Sequence, residues 1–220
     1  MKRLVPILIA AALLAAGGAW LLAPGSQGAR DLPQLGAANA QTVDAAQSVE
    51  IADMTLGEAE APVQVIEYAS YTCPHCRTFH EGAFKELKSE YIDTGLVEFV
   101  YREVYFDRFG LWASMVARCG GAERFFGITD LIYAQQSEWT QGAPADIAAN
   151  LRRIGLTAGL SEAELDACFS DGDKAQSLVA WYEANAAEDG IRSTPSFVID
   201  GVRYSNMSMA ELREIIDGKL

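Results

Sequence analysis

The pattern of apolar and polar positions predicts an α/β chain built around a βαβ unit. Val63–Ala69 is rich in β-branched and apolar residues, as is typical of a central strand. A helix is predicted over residues 77–90 and a second strand over residues 96–104, while residues 49–54 resemble a short edge strand. The order strand, helix, strand predicts parallel pairing with a right-handed crossover.

Between about residues 107 and 190 the apolar period becomes that of helices. We expect four or five helices here, one of which ends at Gly120 and another at Gly155. Ser161 and Glu164 have the spacing of a capping box at the start of a further helix. The stretch is therefore predicted to be an all-helical insertion within the α/β unit.

A β-hairpin and a closing helix are predicted after this insertion. Ser196–Ile199 is an apolar strand, and Asp200-Gly201 is a favoured two-residue hairpin turn. Residues 202–204 are expected to return antiparallel, and residues 208–217 to form an amphipathic helix.

Residues 1–40 have a different composition and are predicted to precede the folded domain, which we assign to residues 41–220. Two basic residues are followed by an apolar run over residues 4–23, which is the pattern of an export signal or an N-terminal membrane anchor. The run is long enough to span a bilayer, and a small-x-small cleavage site occurs late, at residues 38–40, so both alternatives stay open. In either case the domain is expected on the exported side of a bacterial membrane, in the periplasm.

Charge and cysteine content narrow the classes of function. The formal net charge of −13 argues against nucleic acid as a partner and against electrostatic adhesion to anionic lipid. In an exported chain, the four cysteines lie in an oxidising compartment, where disulfides persist.

Two of these cysteines form the motif Cys73-Pro74-His75-Cys76 at the predicted strand-to-helix junction. This spacing fits a redox-active dithiol or part of a metal site. A structural zinc site needs four ligands, and only the two histidines, His75 and His80, are available to complete one locally. We therefore expect no metal, and Arg77 excludes covalent haem attachment because a histidine must follow the second cysteine.

The position of Cys73 predicts a reactive thiolate. The first turn of a helix presents unpaired N–H groups and the positive end of the helix dipole, which lower the pKa of a thiol placed there. His75 adds a donor or a positive charge, and a stabilised thiolate makes the corresponding disulfide a stronger oxidant. Cys76, one turn deeper, is expected to be the buried resolving thiol, and His80 is expected to pack or to be solvated.

Three separated features resemble the DsbA family of thiol–disulfide oxidoreductases: residues 67–76, the helical insertion, and residues 193–197. The resemblance covers about residues 48–220 and implies a thioredoxin-like fold with an inserted all-helical subdomain. The dipeptide Pro74-His75 is the variant typical of the family's oxidases. The resemblance thus implies an enzyme without a cofactor that introduces disulfides into exported polypeptides with free thiols, and a DsbB-type membrane protein that reoxidises it.

The resemblance also assigns roles to residues outside the motif. Pro195 matches the cis-proline that faces the dithiol in thioredoxin folds, and Thr194 would offer backbone hydrogen bonds to a substrate strand beside Cys73. Glu67 matches the acidic residue below the site, for which proton exchange with Cys76 is implied. The family's oxidases often carry valine at the position of Thr194, whereas threonine also occurs in isomerase-like relatives, so the direction of the reaction stays open.

Cys119 and Cys168 both lie in predicted helices of the insertion. Some bacterial members of the family carry an additional structural disulfide in this subdomain, so the resemblance implies a Cys119–Cys168 bond. The alternative is two buried free thiols that do not meet.

Residues 41–60 are too few to form the dimerisation domain of disulfide isomerases, so a monomer is expected. Two other functions nevertheless stay open. One is an isomerase or reductase kept reduced by a membrane donor, and the other is a peptide-binding chaperone module whose cysteines are structural.

Overall fold

A five-stranded mixed sheet forms the centre of the computed structural model, which describes residues 48–220. The strands are β1 (Met54–Leu56), β2 (Val63–Ala69), β3 (Val97–Glu103), β4 (Ser196–Ile199) and β5 (Val202–Ser205). Their order in the sheet is β1-β3-β2-β4-β5, in which β2 and β3 are parallel and the other neighbours are antiparallel. The predicted export signal or anchor, within residues 1–40, lies outside the described residues.

Strand β2 is central because it is covered on both faces. All of its residues except Gln64 are buried, as a parallel strand between two layers requires. Val63 pairs with Val97 of β3, so the predicted parallel βαβ unit is confirmed. Tyr68 pairs with Ser196 of β4, which brings the end of β2 next to the start of β4.

The predicted helix over residues 77–90 is divided into three parts: α1 (Pro74–Glu81), α2 (Ala83–Leu87) and a π-helical turn (Lys88–Ile92). Gly82 separates the first two, with φ −121° and ψ −92°, which lie outside the helical region. The helix is therefore interrupted six residues after the motif.

Six helices form the insertion within the described residues: α3 (Arg108–Cys119), α4 (Gly121–Ala134), α5 (Gln136–Trp139), α6 (Pro144–Thr157), α7 (Glu162–Ser170) and α8 (Gly172–Glu188). The four-residue helix α5 was too short to be predicted. The expectation that α6 ends at Gly155 is wrong, because the helix continues to Thr157. A Cβ atom at Gly155 would lie 2.6 Å from Leu165 Cδ2, so this glycine allows α6 and α7 to pack closely.

The C-terminal hairpin and helix are confirmed. Asp200 and Gly201 adopt positive φ values of 46° and 80° in the turn between β4 and β5. Helix α9 (Met209–Asp217) begins after Ser208, whose side chain accepts a hydrogen bond from the Glu211 N–H in a capping box. None of the helices within residues 48–220 is both long and apolar enough to cross a membrane.

Helix α1 is held against the sheet by its buried face, which consists of Cys76, Phe79 and His80. The Phe79 ring lies 4.9 Å from the ring of Phe197 in β4. This contact fixes the helix that carries Cys76 above the strand that follows Pro195.

Candidate active site

The candidate site joins two segments that are far apart in sequence. Cys73 is the N-cap residue of α1, just beyond the C-terminal end of β2. The Thr194–Pro195 peptide bond, which is cis as the resemblance implies, immediately precedes β4. Because β2 and β4 pair, Cys73 Sγ lies 3.4 Å from the carbonyl oxygen of Thr194, across 121 residues of chain.

The two thiols of the motif have different surroundings. Cys73 keeps 9% of its surface exposed, whereas Cys76 is completely buried. Both are free thiols in this structure. A partner thiolate can therefore reach only Cys73, as a division into attacking and resolving thiols requires.

Hydrogen bonding lowers the pKa of Cys73 to about 5. The largest contribution is the hydrogen bond from the Cys76 thiol, which outweighs the opposing effect of burial; Thr194 and the backbone N–H groups of Cys76 and His75 add to it. Burial raises the pKa of Cys76, and the bond to Cys73 and the charge of Glu67 raise it further. The helix N-terminus thus lowers the pKa of Cys73 as predicted. His75 was expected to act through its side chain, but it contributes through its backbone N–H.

The dipeptide between the cysteines faces solvent. Pro74 and His75 are both exposed. A depression of about 380 Å³ adjoins Pro74 and is lined by Thr72, Arg77, Asp107, Phe109, Gln136, Ser137 and Thr140. Another, of about 310 Å³, adjoins His75 and includes Phe79 and Met207. Extended polypeptide therefore has room on both sides of the motif.

Gln136, which sequence reasoning missed, holds the loop before α1. Its buried side-chain amide donates to the carbonyl oxygens of Tyr71 (2.7 Å) and Cys73 (3.0 Å). The residue lies at the start of α5, the helix that was not predicted, and no motif marks it. This amide fixes the backbone on which Cys73 stands.

Glu67 lies in the central strand and is completely buried. Burial raises its pKa, which the nearby His80 lowers only in part. His80 Nε2 lies 3.3 Å from Glu67 Oε2, and the His80 ring stacks on Tyr133 with the ring centres 4.5 Å apart. His80 therefore packs, as expected, but against the carboxyl group beneath the motif.

The insertion contains the second cysteine pair. The Sγ atoms of Cys119 and Cys168 are 2.12 Å apart in a disulfide that joins α3 to α7. Within residues 48–220, no three His, Cys, Asp or Glu side chains are grouped as metal ligands.

These features define a class of site. A dithiol at a helix N-terminus, with one thiol of low pKa and one buried thiol, stands opposite a cis-proline loop in a thioredoxin-like fold. Such a site is built for thiol–disulfide exchange. A family model described as Thioredoxin matches residues 50–218, and the chain belongs to this family.

Solved structures place the fold within the DsbA type of this family, as the resemblance implied. The crystal structure of alpha-DsbA1 from Wolbachia pipientis has a TM-score of 0.71 at 27% identity, and the match covers 78% of this chain and 92% of that one. A protein-disulfide isomerase from Novosphingobium aromaticivorans has a TM-score of 0.68 at 25% identity, over 77% of this chain and 98% of that one. The thioredoxin-like fold with a helical insertion is therefore confirmed.

Curated relatives have related names. A Rickettsia bellii protein, provisionally named a protein-disulfide oxidoreductase, is 35% identical over 166 residues, which are 75% of this chain and 63% of the relative. Disulfide bond formation protein D of Bacillus subtilis is 26% identical over 175 residues, which are 75% of this chain and 76% of that protein. This chain thus spans less than two thirds of the length of the Rickettsia relatives that it matches.

Proposed function

We propose that the protein is a thiol–disulfide oxidase that introduces disulfide bonds into exported proteins through Cys73 and Cys76. The observation that carries this proposal is the asymmetry of the two sulfurs, with the pKa of Cys73 at about 5 and that of Cys76 raised by burial. A stabilised thiolate stabilises the dithiol, so the disulfide form is a strong oxidant. The name of the Bacillus subtilis relative supports the same direction.

The exchange begins with the Cys73–Cys76 disulfide. A substrate thiolate attacks Cys73 Sγ, the bond to Cys76 breaks, and Cys76 leaves with the electron pair and takes up a proton. A second substrate thiolate then attacks the substrate sulfur of the mixed disulfide and displaces Cys73 as a thiolate. The substrate loses two electrons and the protein gains them, and the low pKa makes Cys73 a good leaving group.

The loop before β4 supports a place for the substrate. The Thr194 carbonyl lies 3.4 Å from Cys73 Sγ, and the backbone beside Pro195 is available to pair with an extended peptide. The depressions beside Pro74 and His75 would receive side chains of varied sequence. Such binding, which relies mostly on the substrate backbone, suits an enzyme that acts on many polypeptides.

The same function implies export and a source of oxidising equivalents. The apolar run over residues 4–23, with basic residues before it, supports a periplasmic location, reached by cleavage of the segment or by its retention as an anchor. A DsbB-type membrane protein would reoxidise the dithiol, and the enzyme would act as a monomer.

An equilibrium redox titration against glutathione tests the proposal. We expect a reduction potential well above that of thioredoxin, which is about −270 mV. A potential near the thioredoxin value would refute the oxidase direction. The variant Cys73→Ala must also lose all oxidation of substrate thiols, and retained oxidation would refute the role of Cys73. A wild type that binds peptides but oxidises no thiols would leave only the peptide-binding module.

The second candidate function is a disulfide isomerase kept reduced by a membrane donor. Thr194 favours it, as does the similarity to the Novosphingobium aromaticivorans isomerase. Rapid alkylation of thiols in growing cells separates the two functions, because an oxidase is found with the Cys73–Cys76 disulfide and an isomerase with two free thiols.

A further inference from the structure

Three titratable side chains occupy the interface between α1 and β2 below the motif. Cys76 and His80 are four residues apart on α1 and lie on its buried face. Glu67 points from β2 against His80, with Oε2 3.3 Å from Nε2, and its charge raises the pKa of Cys76. Glu67 therefore interacts with both of these α1 side chains beneath the reactive dithiol.

The Glu67–His80 pair is poorly satisfied. Within residues 48–220, neither carboxyl oxygen of Glu67 and neither ring nitrogen of His80 has a hydrogen-bond partner of good geometry. Buried polar groups in this state destabilise a fold, and apolar residues of similar size would avoid the penalty. Packing alone does not explain why both groups are here.

His80 is buried, but its second ring nitrogen is directed at an exposed carboxylate. Its Nδ1 lies 3.9 Å from Oδ1 of Asp130, whose side chain is 65% exposed. A depression of about 240 Å³, lined by both residues, separates α1 from α4. The gap is longer than a hydrogen bond, and a small rotation of the exposed Asp130 side chain would close it. One ring nitrogen is thus directed at a buried carboxyl group and the other at a carboxylate in water.

We propose that His80 relays protons between Glu67 and solvent at Asp130 during exchange at Cys73 and Cys76. The inference rests on the proposed function. When the Cys73–Cys76 bond breaks, Glu67 gives a proton to the Cys76 thiolate, His80 gives one to Glu67, and solvent at Asp130 restores His80. Reoxidation moves the proton along the same path in reverse. His80 is a positioning residue, because it acts through Glu67.

The charges around the pair fit this task. Burial lowers the pKa of His80, but the charge of Glu67 and the interaction with Asp130 outweigh it, so the pKa lies above its usual value. Burial raises the pKa of Glu67. The titratable groups that face His80 are Glu67 from β2, Tyr101 from β3, Glu81 on its own helix, Lys85 from α2, and Asp130 and Tyr133 from α4. Both shifts favour a proton held by the pair.

The relay is tested in the full chain by single-turnover reduction of the Cys73–Cys76 disulfide with excess dithiothreitol. Acid quench and thiol labelling give the rate of this reduction. His80→Phe keeps an aromatic ring between Phe84 and Tyr133 but removes the proton carrier. We expect a rate at least about tenfold lower, since general acid–base catalysis contributes roughly 10²–10⁴-fold. The control Phe84→Leu alters packing against the same ring and should stay within about twofold of the wild type.

A double-mutant cycle shows whether His80 acts through Glu67. His80→Phe should slow the wild type but have no further effect in Glu67→Gln, because the relay is already broken there. Equal slowing in both backgrounds would overturn the proposal. Asp130→Asn, a surface change that leaves the core intact, should slow the reaction about threefold and remove part of the difference between rates in H₂O and D₂O; an unchanged rate would refute the exit at Asp130.

Failure of the relay is distinguishable from failure of the function. If all variants react as fast as the wild type, the relay is refuted while exchange at Cys73 stands. If the wild-type disulfide itself does not react with dithiothreitol, the proposed function is refuted.

Discussion

Cys73 and Cys76 lie on the same helical turn, yet their pKa values shift in opposite directions. Cys73 receives hydrogen bonds from the helix N-terminus and from Cys76, and these favour the thiolate. Cys76 is enclosed and faces the charge of Glu67, which favours the thiol. At neutral pH one sulfur is therefore charged and the other is not, so the order of bond making and breaking is fixed.

The pKa of Cys73 predicts how the stability of the dithiol form depends on pH. The thiol titrates near its ordinary value of 9.0 when the chain is unfolded and near 5 when it is folded. This contribution is complete above about pH 9 and is lost as the pH falls through about 5. Thermal unfolding of the reduced and oxidised proteins should show the reduced form losing Tm relative to the oxidised form between pH 7 and pH 4. A difference independent of pH would contradict the assignment.

The amide of Gln136 gives a second prediction at this scale. Gln136→Ala removes the donor to the Tyr71 and Cys73 carbonyls and leaves a buried acceptor without it, which should cost about 1–3 kcal/mol in the free energy of unfolding. Urea unfolding measures the loss. The control Gln141→Ala changes an exposed glutamine and should stay within about 0.5 kcal/mol of the wild type.

At the scale of elements, two helices of the insertion contain glycines with opposite effects. Gly155 lies where α6 meets α7, and a Cβ atom there would approach Leu165 Cδ2 to 2.6 Å. Gly127 is an exposed position of α4 with nothing within 4 Å of an added Cβ. The first glycine permits contact, and the second only weakens its helix.

This difference predicts opposite signs for the same substitution. Gly155→Ala should lower the free energy of unfolding by about 1–3 kcal/mol, because the added methyl group overpacks the interface. Gly127→Ala should raise it by up to about 1 kcal/mol, because alanine favours the helix. Urea unfolding of the two variants makes the comparison, and destabilisation of equal size in both would refute the packing argument.

Elements with a strong local signal were predictable from sequence. The period of β2, the turn at Asp200-Gly201 and the capping box at Ser161 are encoded by neighbouring residues, so each is found where expected. The break at Gly82 and the extension of α6 beyond Gly155 depend on what packs against them. A glycine by itself does not tell whether it ends a helix, bends it or allows contact.

The same distinction holds for the site. The cysteine motif was recognisable from its spacing, and Pro195 from the resemblance to the family. The structure brings the two segments together at Cys73. Gln136 and the contact of His80 with Glu67 could not be predicted, because they arise when α5 packs on the loop before α1 and when α1 packs on the sheet. The spacing of residues along the chain does not encode such tertiary contacts.

At the scale of the whole molecule, the Cys119–Cys168 disulfide closes a loop with a sequence separation of 49. A loop of that length stabilises the fold by about 4 kcal/mol in the chain-entropy model. The double variant Cys119→Ser with Cys168→Ser should lose stability of this order in urea unfolding, with Cys73 and Cys76 oxidised in both proteins. Its rate of exchange at Cys73 should change by less than about twofold, and a large loss of exchange with unaltered stability would contradict a structural role.

The sequence separation of 121 between Cys73 and Thr194 imposes an order on biogenesis. A chain that emerges from its N-terminus presents the motif cysteines first, then Cys119 and Cys168, and the cis-proline loop after them. Until that loop has arrived and β4 has joined β2, the motif lacks the Thr194 backbone beside its reactive sulfur. The nascent chain therefore exposes the thiols of the motif before its site is assembled, and the exchange proposed for Cys73 has to wait for the cis-proline loop.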